Sequence, residues 1–314
     1  MKEPNINELE LNLLSETENV KLEALEALTV LSGDKTCKTL LINNPLILKS
    51  LVSIIQSQDK VIILKVCKIL VNLAAEEDNA TLIGDRSSDL ITSLCDLLIS
   101  TEELEISAAV SRIIMQLSFS NKNCIIMCDN AINLLTVLSN VILESLTATR
   151  LKNEDTAAFN SIICTSICIG LQNLSSLHEN LITMGLISSG VFQALIEAIK
   201  VLNGPALIAA CSAMQNLSLS PENIIKIGNL DSGLLQALVH VITTDKDEAS
   251  YMACCTIMNL AIDDTIATLM CSQELGLLQA LSKFAEENFG EVSNLIILHF
   301  IYFKFLAILF DSYI

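Results

Sequence analysis

The sequence predicts an all-α solenoid. Three observations lead there: one hexapeptide recurs at a fixed interval, a second signature closes each interval, and the composition favours helices. Gly190-Val191-Phe192-Gln193-Ala194-Leu195, Gly233-Leu234-Leu235-Gln236-Ala237-Leu238 and Gly276-Leu277-Leu278-Gln279-Ala280-Leu281 begin 43 residues apart. The closing signature is an amide followed by Leu and a small residue, with a degenerate copy at Val30-Leu31-Ser32, and its leucines are Leu31, Leu73, Leu117, Leu174, Leu217 and Leu260. Their spacings are 42, 44, 57, 43 and 43 residues. A fixed period in this range marks a repeat architecture.

Composition agrees. The 314 residues are 52% hydrophobic, with 4 Pro, 10 Gly and no Trp. That excludes disorder over most of the length and suits helices better than hairpins. A globular chain of this size ordinarily splits into domains, whereas a solenoid grows by packing each repeat on its neighbours.

The elements follow from punctuation. In the clearest repeat, a short helix is expected over 221–228 and a second over 233–242. The second carries Leu234, Leu235, Leu238, Val241 and Ile242 at helical spacing. A third is expected over 247–261. Pro45, Pro205 and Pro221 fall at helix starts, where a missing N–H is harmless. Gly84, Gly185 and Gly228 stand eleven residues after a signature Leu and are read as helix C-terminal stops. Seven repeats result: 1–33, 34–76, 77–120, 121–176, 177–219, 220–263 and 264–314. The fourth is longer by about 14 residues. The excess, placed at 143–158, is read as a surface loop between second and third helices, a kind of insertion that costs little closure entropy.

This period, with three helices per repeat, resembles the armadillo repeat over nearly the whole chain. HEAT repeats, with two helices and a similar period, are the alternative, and the Gly between short and second helices favours armadillo. The resemblance implies a right-handed superhelix whose third helices line the inner surface.

Charge narrows the partners. Lys plus Arg is 18 and Asp plus Glu is 36, giving a net charge of −18. Such a field repels nucleic acid and anionic membranes and favours basic partners. Eleven cysteines with no apolar signal core at the start read as free thiols, so cytoplasmic or nuclear residence is expected.

No catalytic constellation emerges. His178, His240 and His299 occupy unrelated repeat positions, and no phosphate loop or metal motif is present. No enzyme activity, metal or cofactor is expected. Cys124/Cys128 and Cys164/Cys168 lie one helical turn apart, but Cys67, Cys168, Cys211 and Cys254 all sit six residues before a signature Leu, which marks them as packing residues. Cys255 should turn to another face and be accessible.

The candidate binding residues are the amides before the signature Leu: Asn72, Gln116, Asn173, Asn216 and Asn259. An amide offers a donor and an acceptor together and can pair with both backbone groups of an extended peptide. The resemblance implies that role; a bond within the solenoid is the alternative. Importin-type armadillo proteins carry Trp four residues before that Asn. Here the positions hold Lys68, Arg112, Ile169, Ser212 and Cys255, so recognition of ordinary basic import signals is disfavoured. A β-catenin-type basic groove would be matched only in part, by Lys65, Lys68 and Arg112. One turn past the amides stand Glu76, Ser120, Leu177, Ser220 and Asp263, so the inner surface reads positive early and acidic or neutral later.

The expected function is a non-enzymatic scaffold holding an extended, basic protein segment. One alternative partner is the polybasic tail of a small GTPase. Another role is a membrane-tethered adaptor using 295–310, an apolar run interrupted by His299 and Lys304. That run is short for a span of about 20 residues. The repeat frame instead puts Tyr302 and Phe303 at the amide and signature-Leu positions of a seventh third helix, one that would expose apolar surface to a partner, a further repeat or a membrane.

Overall fold

A computed structural model describes residues 6–86, 88–151, 154–244, 248–272 and 275–287. Among them, every regular element is a helix. The chain forms two compact units. The N-unit comprises Met1–Val137 and Lys152–Gly170, and the C-unit comprises Leu138–Leu151 and Leu171–Ile314.

In the N-unit, α1 (Ile6–Leu13) and α2 (Glu18–Leu31) precede two full sets of three: α3 (Lys35–Ile42), α4 (Pro45–Ile54), α5 (Lys60–Leu73), then α6 (Glu77–Arg86), α7 (Ser88–Ser100), α8 (Leu104–Leu117). Next come α9 (Asn121–Met127) and two long helices that supply residues to both units, α10 (Leu134–Arg150) and α11 (Glu154–Ser175). The C-unit continues with α12 (Leu181–Met184), α13 (Val191–Val201) and α14 (Gly204–Leu217), then α15 (Pro221–Ile227), α16 (Leu234–Thr244) and α17 (Glu248–Leu260), and α18 (Asp264–Met270) with α19 (Leu277–Glu287).

Local chemistry explains the boundaries. Asp34, Asn44 and Asp59 each accept two backbone N–H bonds at the starts of α3, α4 and α5, satisfying donors that a helix start leaves open. The hexapeptide glycines sit just before second helices at φ 70° (Gly190), 75° (Gly233) and 67° (Gly276), and Asn133 takes 58° at the matching place. A side chain with a Cβ is strained there, and Asn tolerates it best. Third helices bury Leu70, Ile114, Met214 and Ile257 together with the signature leucines Leu73, Leu117, Leu174, Leu217 and Leu260, while Leu31 is half-buried.

The four packing cysteines are buried, and burial pushes the Cys67 and Cys254 thiols up to about 12. Cys255, expected to be accessible, is also buried, because α17 packs closely along α14 and both its neighbouring faces are covered.

A further expectation fails. The 143–158 segment is not a loop: α10 runs to Arg150 and α11 starts at Glu154. The segment has no Gly or Pro to stop a helix, it buries Ser145 and Leu146, and Arg150 pairs with Glu197 on α13. The added residues lengthen both helices. α11, 22 residues long, is long and apolar enough to cross a membrane, but half of its most apolar window is buried in the protein.

Of the glycines read as helix stops, Gly185 and Gly228 stand at the C-caps of α12 and α15, while Gly84 lies inside α6. Gly185 and Gly228 both have φ −79°. Their role is close approach. A Cβ on Gly84 would lie 1.8 Å from Asn123 Oδ1, and one on Gly185 would lie 1.9 Å from Asn223 Oδ1. Asn123 and Asn223 are fully buried, and each stitches its first helix to the preceding repeat. Asn123 Nδ2 donates to Ala80 O (2.8 Å) and Leu117 O (3.1 Å); Asn223 Nδ2 donates to Leu181 O (2.9 Å) and Leu217 O (3.1 Å). Their oxygens rest against the glycine Cα, a weak C–H···O arrangement that only a residue without Cβ permits. Residues 295–310, with His299, Tyr302 and Phe303, lie outside the described residues.

Candidate partner-binding surface on the third helices

The amides before the signature Leu have a defined setting. Asn72 Nδ2 donates to Ser32 Oγ at 3.0 Å, Asn216 Nδ2 to Ser175 Oγ at 3.2 Å, and Asn259 Nδ2 to Ser218 Oγ at 2.9 Å. Each serine follows the signature Leu of the preceding repeat. Each also donates its own hydroxyl hydrogen one turn back, to Thr29 O, Gln172 O and Gln215 O respectively. That leaves the serine oxygen as an acceptor for the next repeat's amide. A bond within the solenoid is therefore real. At Asn72 and Asn216 it uses one of two N–H groups, whereas Asn259 Nδ2 donates to Gln215 O (3.4 Å) as well as to Ser218 Oγ.

Asn72, Gln116, Asn173 and Asn216 are half-buried, while Asn259 is 7% exposed. Gln116 stands where the preceding repeat has Ala74 in place of serine, so no hydroxyl is offered there. The longer glutamine coincides with the missing partner.

The charged candidates divide. Lys65 Nζ is held by Glu26 at 3.1 Å. Lys68 and Arg112 are exposed on α5 and α8, with no carboxylate partner among the described residues. Ser212 on α14 is 5% exposed, and its Oγ has no hydrogen-bond partner among them. Beside it in the C-unit, Ile208, Gln215, Met252 and Met258 are half-buried on the same helices, α14 and α17. Of the residues one turn past the amides, Glu76 is exposed, Ser120 and Ser220 are buried, Leu177 is half-buried, and Asp263 caps α18 by accepting from Ile266 N at 3.0 Å.

His178 and His240 are exposed and far apart in the repeat frame, and among the described residues no group of three His, Cys, Asp or Glu is placed to hold a metal. A polar cleft of about 620 Å³ opens in the N-unit where α4 meets α5 and α7 meets α8, lined by Gln56, Ser93, Asp96 and Glu103. Lys60 bridges its acidic mouth, 2.8 Å from Glu103 and 3.2 Å from Glu105.

Successive three-helix repeats, joined by side-chain amides, make the chain an α-solenoid. Its repeats are of the armadillo type, as solved structures show. An engineered protein superposes with a TM-score of 0.76 at 18% identity, over 95% of this chain and 67% of its own. A chain from a structure on the phosphorylation switch controlling the interaction between cadherin and beta-catenin gives 0.75 at 18% identity, over 94% of this chain. This protein spans 54% of that chain, about half its length. A designed armadillo repeat protein in complex with the peptide (KR)4 gives 0.66 at 15% identity, over 82% of this chain and 100% of its own. No family model matches the sequence, and no curated protein matches it.

Proposed function

We propose that this protein is a non-enzymatic scaffold that holds an extended segment of another protein along its third-helix face. The observation that carries this reading is the row of amides whose orientation is set by the preceding repeat's serine. An amide fixed before binding loses less side-chain entropy when it meets a ligand. Third helices about 8–10 Å apart and an extended chain rising about 3.3 Å per residue bring an amide to the ligand about every third residue. Each contact nets only about 0.5–1.5 kcal/mol, so several must act in series. The peptide complex of the designed relative and the cadherin–beta-catenin context of another support the same mode.

The side chains suggest a different ligand character for each unit. Lys68 and Arg112 favour acidic residues opposite α5 and α8. Ser212, Ile208 and Met252 favour small or apolar residues opposite α14 and α17. The net charge of −18 draws a partner that is basic overall. Eleven free thiols fit a reducing compartment, cytoplasm or nucleus.

The test compares partners recovered from native extract by wild type and by the Asn173→Ala, Asn216→Ala, Asn259→Ala triple variant. Partners should be lost while the protein stays folded, weakened by about 1 kcal/mol per lost bond. A Ser175→Ala, Ser218→Ala control removes the serine bonds and keeps the amides, so it should retain the same partners at lower affinity. An unchanged partner set, or unfolding of the triple variant alone, would overturn the reading.

A further inference from the structure

A second surface lies on the first helices, unrelated to the amide row. Eight residues after the signature Leu stand Ile182 on α12 and Ile225 on α15; two residues after it, in the turns entering α15 and α18, stand Leu219 and Ile262. All four are exposed, at 52%, 69%, 55% and 62%. Isolated apolar residues on a surface are ordinary. These recur at two fixed places in the repeat frame of one unit, on or just before helices that pack side by side.

The helices carrying them are neighbours. Asn223 Nδ2 reaches Leu181 O at 2.9 Å, and Lys226 Nζ reaches Gly185 O at 2.9 Å, so α15 lies directly against α12. Ile266 Cδ1 lies 2.3 Å from where a Cβ on Gly228 would stand, which puts α18 directly against α15. Ile182 and Ile225 follow these stitching residues by one or two positions on the open side.

The rim is acidic. Glu179 and Glu222 are exposed five residues after their signature Leu, and Asp264, one position earlier in its own repeat, is exposed at the start of α18. Ser220 Oγ donates to Glu222 Oε2 at 2.8 Å and fixes that carboxylate in place. The rim cation, Lys226, is spent on the Gly185 carbonyl.

Geometry selects the occupant. Rows about 8–10 Å apart match the i, i+7 spacing of a helix, about 10.5 Å at 1.5 Å per residue. A second copy would bring acidic rim against acidic rim in any two-fold pairing, and an anionic membrane would be repelled likewise. We propose that the strip formed by Ile182, Leu219, Ile225 and Ile262 docks an amphipathic helix of a partner protein, with apolar residues one and two turns apart and Lys or Arg on its flanks facing Glu179, Glu222 and Asp264. About 14 residues would cross all three rows.

The full-length chain should be titrated by fluorescence anisotropy with two labelled 15-residue helix-forming peptides. Both carry Leu at i, i+3, i+7 and i+10, one with Lys flanks and the other with Glu flanks. The Lys peptide should bind at least tenfold more tightly, and more weakly as salt rises. Ile182→Ser with Ile225→Ser should cost tenfold or more without altering circular dichroism, since both side chains face solvent. The triple amide variant should bind the Lys peptide as wild type does, which separates this surface from the third-helix face. Absence of binding, equal binding of both peptides, or indifference to the double variant overturns the proposal. So does concentration-dependent dimerisation, or binding to phosphatidylserine vesicles, that the double variant abolishes; those outcomes assign the strip to a second copy or to a membrane.

Discussion

In the N-unit, α5 presents Lys65 and Lys68 and α8 presents Arg112; in the C-unit, α14 and α17 present Ser212, Met252 and Met258 from the same part of the repeat. α14 carries no Asp, Glu, Lys or Arg at all, and α17 carries only Glu248 at its first residue. Yet the internal chemistry of the two units is the same. Asn72 binds Ser32 as Asn216 binds Ser175, and Asn123 nests against Gly84 as Asn223 nests against Gly185. Positions that join repeat to repeat are held constant, while positions that look outward differ. The frame sets the fold, and the free positions set what each unit can hold.

The sameness can be broken first. Gly84→Ala and Gly185→Ala should each cost about 2–3 kcal/mol in urea unfolding, because the new methyl displaces a buried amide with two hydrogen bonds. Gly170→Ala on α11, where a Cβ meets nothing within 4 Å, should instead be neutral or slightly stabilising. Stabilisation by either of the first two substitutions would remove the close-approach role. The difference comes next. Lys68→Glu with Arg112→Glu should weaken the recovered partner about tenfold, or ~1.4 kcal/mol, and the loss should shrink with salt. Ile208→Ser on α14 should weaken it with no salt dependence.

Smaller effects sharpen the picture. Asn72→Ala and Asn216→Ala should each cost about 1 kcal/mol in chemical denaturation. Ala74→Ser with Gln116→Asn should rebuild the missing pair and gain about 0.5–1 kcal/mol; a loss would mean the Gln has its own packing role. Smallest is the pH dependence of the C-unit's ion pairs. Burial pushes the Glu197 carboxyl up, but the hydrogen bonds from Arg150 and Lys200 hold it below the usual carboxylate range. A lowered carboxyl contributes stability above its unfolded value of about 4.3 and loses it as pH falls through the folded one. Glu197→Gln should therefore flatten the acid limb of the stability profile below about pH 5. At neutral pH it should change unfolding free energy by only a few tenths of a kcal/mol, roughly, as exposed pairs do.

Much of this frame is legible in the sequence. The hexapeptide glycines mark left-handed turns, the prolines mark helix starts, and the signature leucines end third helices, because each rests on local backbone chemistry. What escaped reading depends on neighbours. Asn79, Asn123, Asn180 and Asn223 all stand six residues after a signature Leu, a recurrence as plain as the glycines. Their purpose appears only when the preceding repeat's carbonyls and glycine are packed against them. Gly185 and Gly228 do close helices, but Gly84 does not, and the close approach all three permit stays hidden because their partners lie about 40 residues further on. The 143–158 excess looked like a loop by length alone, although its lack of Gly and Pro pointed to helix. For the amides, the sequence gives their position but not the serine that holds one N–H.

The two long helices also constrain how the chain is made. The N-unit claims residues as late as Gly170, and the C-unit claims residues as early as Leu138. On a ribosome, the first unit therefore stays incomplete until α11 has emerged, although the first residues of the second, in α10, are already made. Domains that follow one another cleanly can be finished in turn during synthesis. These two cannot, and a protease cut or gene fusion placed between 138 and 170 would damage both together.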